Sequence, residues 1–226
     1  MEIMEKGGSQ TSDRPRSIAG SETFSGGLRS IMLNDTPRWR ILYRAFHSHW
    51  KTDKAAAYEP LQLHHAKKLI LNILDNPVGL TMHANTYAAS VIFTLTYGKT
   101  TPTTLDDPDL QDMVRDSRRF RMVILPGAYL VDTIPILRWV PGYLAELKRW
   151  HQDSLVLIRR CLGRIQTRMD AEEDVPACFR KDLLNNKKMT FDQAAYFAGA
   201  MFGAGSNTVR FLALVLLVAT EVFRLR

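Results

Sequence analysis

The chain has 226 residues, 46% hydrophobic and 23% charged, an ordinary folded-domain composition that excludes disorder throughout. Lys and Arg number 30 against 23 Asp and Glu, a formal charge of +7. The groups Arg38, Arg40, Arg44 and Arg118, Arg119, Arg121 lack the interleaved aromatics of a nucleic-acid site, so nucleic acid is not an expected partner. Cys161 and Cys178 are too few for a disulfide framework and lack zinc-site spacing, so a reducing compartment and no metal site are expected.

Residues 1–34 are rich in Gly, Ser and Arg without a sustained apolar period and read mostly as loop with short ordered pieces. Met1 to Arg16 contain no apolar core of a signal peptide or N-terminal anchor. At Asp35-Thr36-Pro37 a capping side chain precedes proline at the first helical position, and Trp39, Leu42, Tyr43, Phe46 and Trp50 follow at helical spacing. A second helix is predicted from Pro60, with Leu61, Ala66, Leu69, Ile70, Ile73 and Leu74 as its stripe and Asn76-Pro77 as its end. Val78 to Tyr97 ends in a strand-like run, Val91 to Tyr97, but its length favours a helix stopped by Gly98.

Asp106, Asp107 and Pro108 open another helix carrying Leu110, Met113, Val114 and Phe120. Pro126, Pro135 and Pro141 make the apolar stretch Leu130 to Val140 irregular. A long amphipathic helix follows from Leu144 to Met169, then an acidic loop, Asp170 to Asp174. After Lys187-Lys188, Thr190-Phe191-Asp192-Gln193 has the form of a capping box and starts the last helix.

From Ala194 to Ala219 the sole charge is Arg210, and the middle reads Phe202-Gly203-Ala204-Gly205-Ser206-Asn207-Thr208. Each mid-helix glycine costs about 1 kcal/mol against alanine, so the backbone is bare there for a reason: a flat cofactor or small substrate close by, or close helix packing. Thr208, one turn on, can aim its hydroxyl at the gap or at its own helix carbonyl.

Ala204-Gly205-Ser206-Asn207-Thr208 resembles the central-helix motif of the cytochrome P450 family at four of five places. Trp39-Arg40 looks like that family's helix facing a heme propionate, and Ser12-Asp13-Arg14-Pro15 resembles the segment before it. Tyr87 to Ile92, Thr96-Tyr97-Gly98, Val131-Asp132, Pro135 and Pro141 are similar to fungal members in order and spacing. The resemblance implies a mainly α fold and a heme-dependent monooxygenase acting on an apolar small molecule, as in secondary metabolism. It implies an NADPH-dependent reductase as partner and a cytoplasmic-side location with peripheral contact to the endoplasmic reticulum membrane. Thr208 and Asn207 would be catalytic; Trp39, Arg40, Arg44, Ala204 and Gly205 would hold the heme.

The chain departs from the pattern in several places. Around Cys161, Ser154 and Leu157 stand where the family's cysteine loop has Phe and Gly, and Cys178 fits no better. Glu221-Val222-Phe223-Arg224 spells the family's Glu-x-x-Arg pair, but lies too near Thr208. Tyr43 replaces the usual Arg or His four residues after Trp39, and Asn207 replaces an acid, so protons would pass through Thr208 and water. The expectation is therefore one partial domain over 1–226, with helices and loops over 35–188 and a long central helix over 189–226, lacking the heme-ligand region and inactive alone. Two alternatives stand beside it: a non-catalytic helical remnant, and a membrane-associated protein anchored by 194–219. For Trp39 and Arg44 the plain alternative is a core tryptophan and a solvated arginine.

Overall fold

The computed structural model describes residues 6–49, 52–99, 104, 106–171 and 189–224. Among these there are helices and turns and no strand. Six helices carry the architecture: α1 (Pro37–His49), α2 (Thr52–Asp75), α3 (Leu80–Tyr97), α4 (Pro108–Val123), α5 (Ala145–Asp170) and α6 (Phe191–Arg224).

Helix α6 is the beam of the fold, lying chiefly along α3, with α5 and α4 also packed on it. The main core joins Phe93 and Tyr97 of α3, Ile158 and Leu162 of α5, and Phe197 and Phe202 of α6. The start of α6 is the reciprocal cap its sequence predicts. The amide of Gln193 donates to Thr190 Oγ1 at 3.3 Å, and the amide of Thr190 donates to Gln193 Oε1 at 3.1 Å, satisfying two otherwise orphaned donors. Asp192 then accepts two hydrogen bonds from Arg159, each 2.7 Å, which ties α6 to α5.

The other boundaries follow the local chemistry. Thr36 Oγ1 accepts from the amide of Trp39 at 3.3 Å and caps α1, leaving the Asp35 carboxylate for Arg40. Asp107 caps α4 by accepting from the amide of Asp109 at 3.0 Å, with Pro108 in the first turn. Gly98 ends α3 at φ +59, a left-handed conformation that closes the last turn. The proline-broken segment after α4 forms two short 3-10 turns, Leu130–Asp132 and Pro135–Trp139.

Two expectations need correction. Helix α2 begins at Thr52 and carries Pro60 in its interior. Pro60 and Ala56, whose carbonyl loses its partner, are both exposed, so that carbonyl is open to solvent. Ile70 and Leu74, expected on the buried stripe, are exposed. Before α1, Ile18–Phe24 is one of the short ordered pieces in the loop, a π-helical turn whose Ile18, Ala19 and Phe24 belong to a second core with Val123, Val131 and Leu147. Asp132 holds its start by accepting from the amides of Ile18 (2.6 Å) and Ala19 (2.9 Å). This core is assembled across more than a hundred residues of chain, so no local period announces it.

Cys178, Lys187-Lys188 and most of the acidic loop lie outside the described residues, as do the side chains of Asn207, Arg210, Glu221 and Arg224. No helix among the described residues is long and apolar enough to cross a membrane.

Candidate ligand cavity between the first and last helices

Trp39, Leu42, Tyr43 and Phe46 recur on α1 at three- and four-residue steps, so they share one face of the helix. That face and the stretch Phe197 to Ala204 of α6 bound a cavity of about 420 Å³, with Ser117 and Phe120 of α4 and Arg29 completing the wall. Trp39 and Tyr43 stack on each other with centroids 4.8 Å apart. Gly203 leaves space: a Cβ built there would find Ser117 Oγ as its nearest neighbour, 3.8 Å away.

The predicted site residues divide into two groups. Trp39 and Ala204 line the cavity together. Gly205 instead backs onto α3, where a Cβ would come within 2.5 Å of Ile92 Cδ1, so a side chain there would force Ile92 to shift. Arg40 is exposed and paired with Asp35, through Nε at 2.7 Å and Nη2 at 3.0 Å. That contact holds the Asp35 carboxyl below its usual range. Arg44 is exposed and does not line the cavity. Thr208 Oγ1 donates to the carbonyl of Ala204 at 2.8 Å, so its hydroxyl is tethered to its own helix one turn from the cavity wall.

Arg29 escaped the sequence reading because it sits in an irregular segment with no motif around it. It is 8% exposed, donates to Asp116 Oδ2 through Nη2 at 2.9 Å, and places its guanidinium 4.1 Å from the centre of the Phe120 ring. Ser154 Oγ also donates to Asp116, anchoring the pair to α5. Burial without such partners would cost several kcal/mol, so Arg29 is held rather than stranded.

Cys161 is elsewhere. It is buried on α5 beside Phe93, Tyr97 and Ile165, and burial, with Asp109 nearby, pushes its thiol up to about 12. A thiol in that state is a small apolar side chain rather than a metal ligand. The described residues thus fit one face and one edge of a flat, anionic macrocycle, through aromatic walls, a bare helix surface and a nearby cation. They supply no thiolate.

A helical chain whose last helix presents a bare stretch to an aromatic, arginine-bearing cavity has the plan of a cofactor-binding α protein. Comparison with known proteins narrows this. The family model for Cytochrome P450 matches residues 1–217, and the chain belongs to that family. It is 38% identical over 226 residues to Cytochrome P450 monooxygenase 113 of Postia placenta, covering 99% of this chain and 46% of that protein. It is 37% identical over 211 residues to monooxygenase 64 of the same fungus, covering 92% of this chain and 42% of that protein. Cytochrome P450 monooxygenase fogE of Aspergillus ruber is 28% identical over 232 residues, covering 98% and 42%. The chain therefore spans less than half the length of these curated relatives. Family membership implies heme as the cofactor.

Proposed function

We propose that this chain is the oxygen-side portion of a heme-dependent monooxygenase that oxidises an apolar small molecule, as in secondary metabolism, with a reductase as its electron source. The observation that carries this reading is that Trp39 and Ala204, far apart in sequence, line one cavity. Trp39 would meet the heme edge, while Gly203 and Ala204 would lie against its face. When bound, heme supplies the activation of dioxygen for insertion of one oxygen atom into the substrate.

The chain's own side chains have narrower tasks. Phe120, Phe197 and Met201 exclude water and give an apolar substrate its contact surface. The Thr208 hydroxyl, already polarised by the Ala204 carbonyl, passes a proton between ordered water and the reacting centre. Asn207 has an amide in place of an acid and orients water without titrating. Location on the cytoplasmic side of the endoplasmic reticulum agrees with the exposed apolar residues Ile136 and Trp139 in the segment between α4 and α5.

The test is to extend the reading frame from its transcript past Arg226 and to express the longer product with heme. A reduced-CO absorption band of the thiolate type is expected from the extended protein and not from the 226-residue chain, where Cys161 is buried. Thr208→Ala in the extended protein should lower product formed per electron consumed by about tenfold or more while leaving the CO band in place. An extended protein with no such band would leave the helical-remnant reading standing instead.

A further inference from the structure

The cavity wall holds a pair of side chains that is both easily oxidised and open to the surface. Among the described residues that line it, Trp39, Tyr43 and Met201 lose an electron most readily, whereas the phenylalanines and aliphatic side chains resist one-electron oxidation. Trp39 is half-buried, and its indole stacks on the Tyr43 phenol with centroids 4.8 Å apart and ring planes 18° from parallel. Two aromatic faces in contact let an electron pass from one ring to the other with nothing between them. Tyr43 lines the same cavity yet is 47% exposed, so the pair leads from the chamber to solvent within one turn of α1. His47, one turn further, meets Tyr43 edge-on with centroids 4.3 Å apart. Imidazole is harder to oxidise than phenol, so an electron vacancy that reaches Tyr43 stops there.

We propose that Trp39 and Tyr43 form an outlet that carries oxidising equivalents from the cavity to the surface. The inference rests on the reading of this cavity as a place of dioxygen chemistry, whose by-product in the absence of substrate is a dioxygen-derived one-electron oxidant. That oxidant takes one electron from the Trp39 indole and is itself reduced. The indole radical cation then takes one electron from Tyr43, whose phenolic proton leaves to water, and Trp39 is restored. At neutral pH a phenol gives up its proton with its electron, which makes it the better donor of the two and sets the direction outward. The neutral tyrosyl radical ends at the surface, where a soluble thiol or ascorbate returns it to tyrosine by giving a hydrogen atom. Without this outlet the oxidant stays beside Met201, whose thioether oxidises to the sulfoxide.

The test uses the 226-residue chain with Trp139→Phe, which removes an indole that is 77% exposed. Azide radicals made by pulse radiolysis oxidise tryptophan in preference to tyrosine, and transient absorption follows the two radicals separately. The tryptophan radical is expected to decay as a tyrosyl radical grows in at the same rate, independent of protein concentration. Tyr43→Phe keeps the stacked ring and removes only the phenol oxygen, so it separates electron transfer from packing. It should abolish most of that growth and prolong the tryptophan radical. Trp39→Phe should abolish most of the growth by removing its source. Growth that persists at the parent's rate and amplitude in either variant overturns the outlet, as does growth that rises with protein concentration. No heme takes part in this measurement, so the family-level activity is decided separately by the CO band of the extended protein.

Discussion

A methyl group on Gly205 would stand 2.5 Å from Cδ1 of Ile92, so α6 and α3 meet there closely enough that a side chain would have to displace Ile92. The neighbouring Gly203 faces the cavity with a nearest contact of 3.8 Å. These two neighbouring glycines therefore face different surroundings. Gly205→Ala is expected to destabilise the chain by about 1–3 kcal/mol through overpacking. Adding Ile92→Val, which deletes the clashing methyl, should recover part of it. Gly203→Ala should be neutral or stabilising by up to about 1 kcal/mol from helix propensity. Urea denaturation of the three variants checks this, and equal losses for Gly203→Ala and Gly205→Ala would count against the assignment.

The Arg159–Asp192 contact gives acid sensitivity a defined sign. Its hydrogen bonds hold the Asp192 carboxyl below the usual carboxylate range, against the opposing effect of partial burial. A carboxyl depressed in the folded state contributes stability above its unfolded pKa, about 4, and that contribution is lost as pH falls through the folded value. Asp192→Asn is therefore expected to cost under about 1 kcal/mol at pH 6, since the pair is partly solvent-screened, and less at pH 2. Denaturant midpoints at the two pH values give the comparison. A gap that widens in acid would contradict it.

Burial of Cys161 predicts inertness. With its thiol pushed up to about 12, the thiolate fraction at pH 8 is of order one in ten thousand. In a Cys178→Ser background, a disulfide reagent should label Cys161 only as fast as the chain opens, with the rate rising steeply in urea. Rapid labelling in native buffer would show the thiol to be accessible.

The segment between α4 and α5 presents Ile136 and Trp139 at 72% and 77% exposure, beside the half-exposed Val140. Paired apolar side chains of this kind partition into the headgroup boundary of a bilayer. Replacing both by Asp should lower sedimentation with phosphatidylcholine vesicles by about fivefold or more without altering thermal stability. Unchanged sedimentation would remove this segment as the membrane contact.

The sequence by itself determined the helices and their ends wherever the deciding interaction is local. The Thr190/Gln193 box, the Asp107-Pro108 start and the Gly98 stop each act within four residues, and each stands where its spelling predicts. The order of Trp39, Val131-Asp132 and the Ala204-to-Thr208 motif likewise pointed to the family. Tertiary structure decided what no window of sequence contains. Burial of Ile18 and Phe24 depends on Val123, Val131 and Leu147, and the hold on that turn comes from Asp132. The two glycines are separated in role by Ile92, and Arg29 is made part of a cavity wall by Asp116 and Phe120. Helix propensity and capping act over one turn of chain, whereas packing space and the pairing of buried charge depend on which distant residues fill the space opposite.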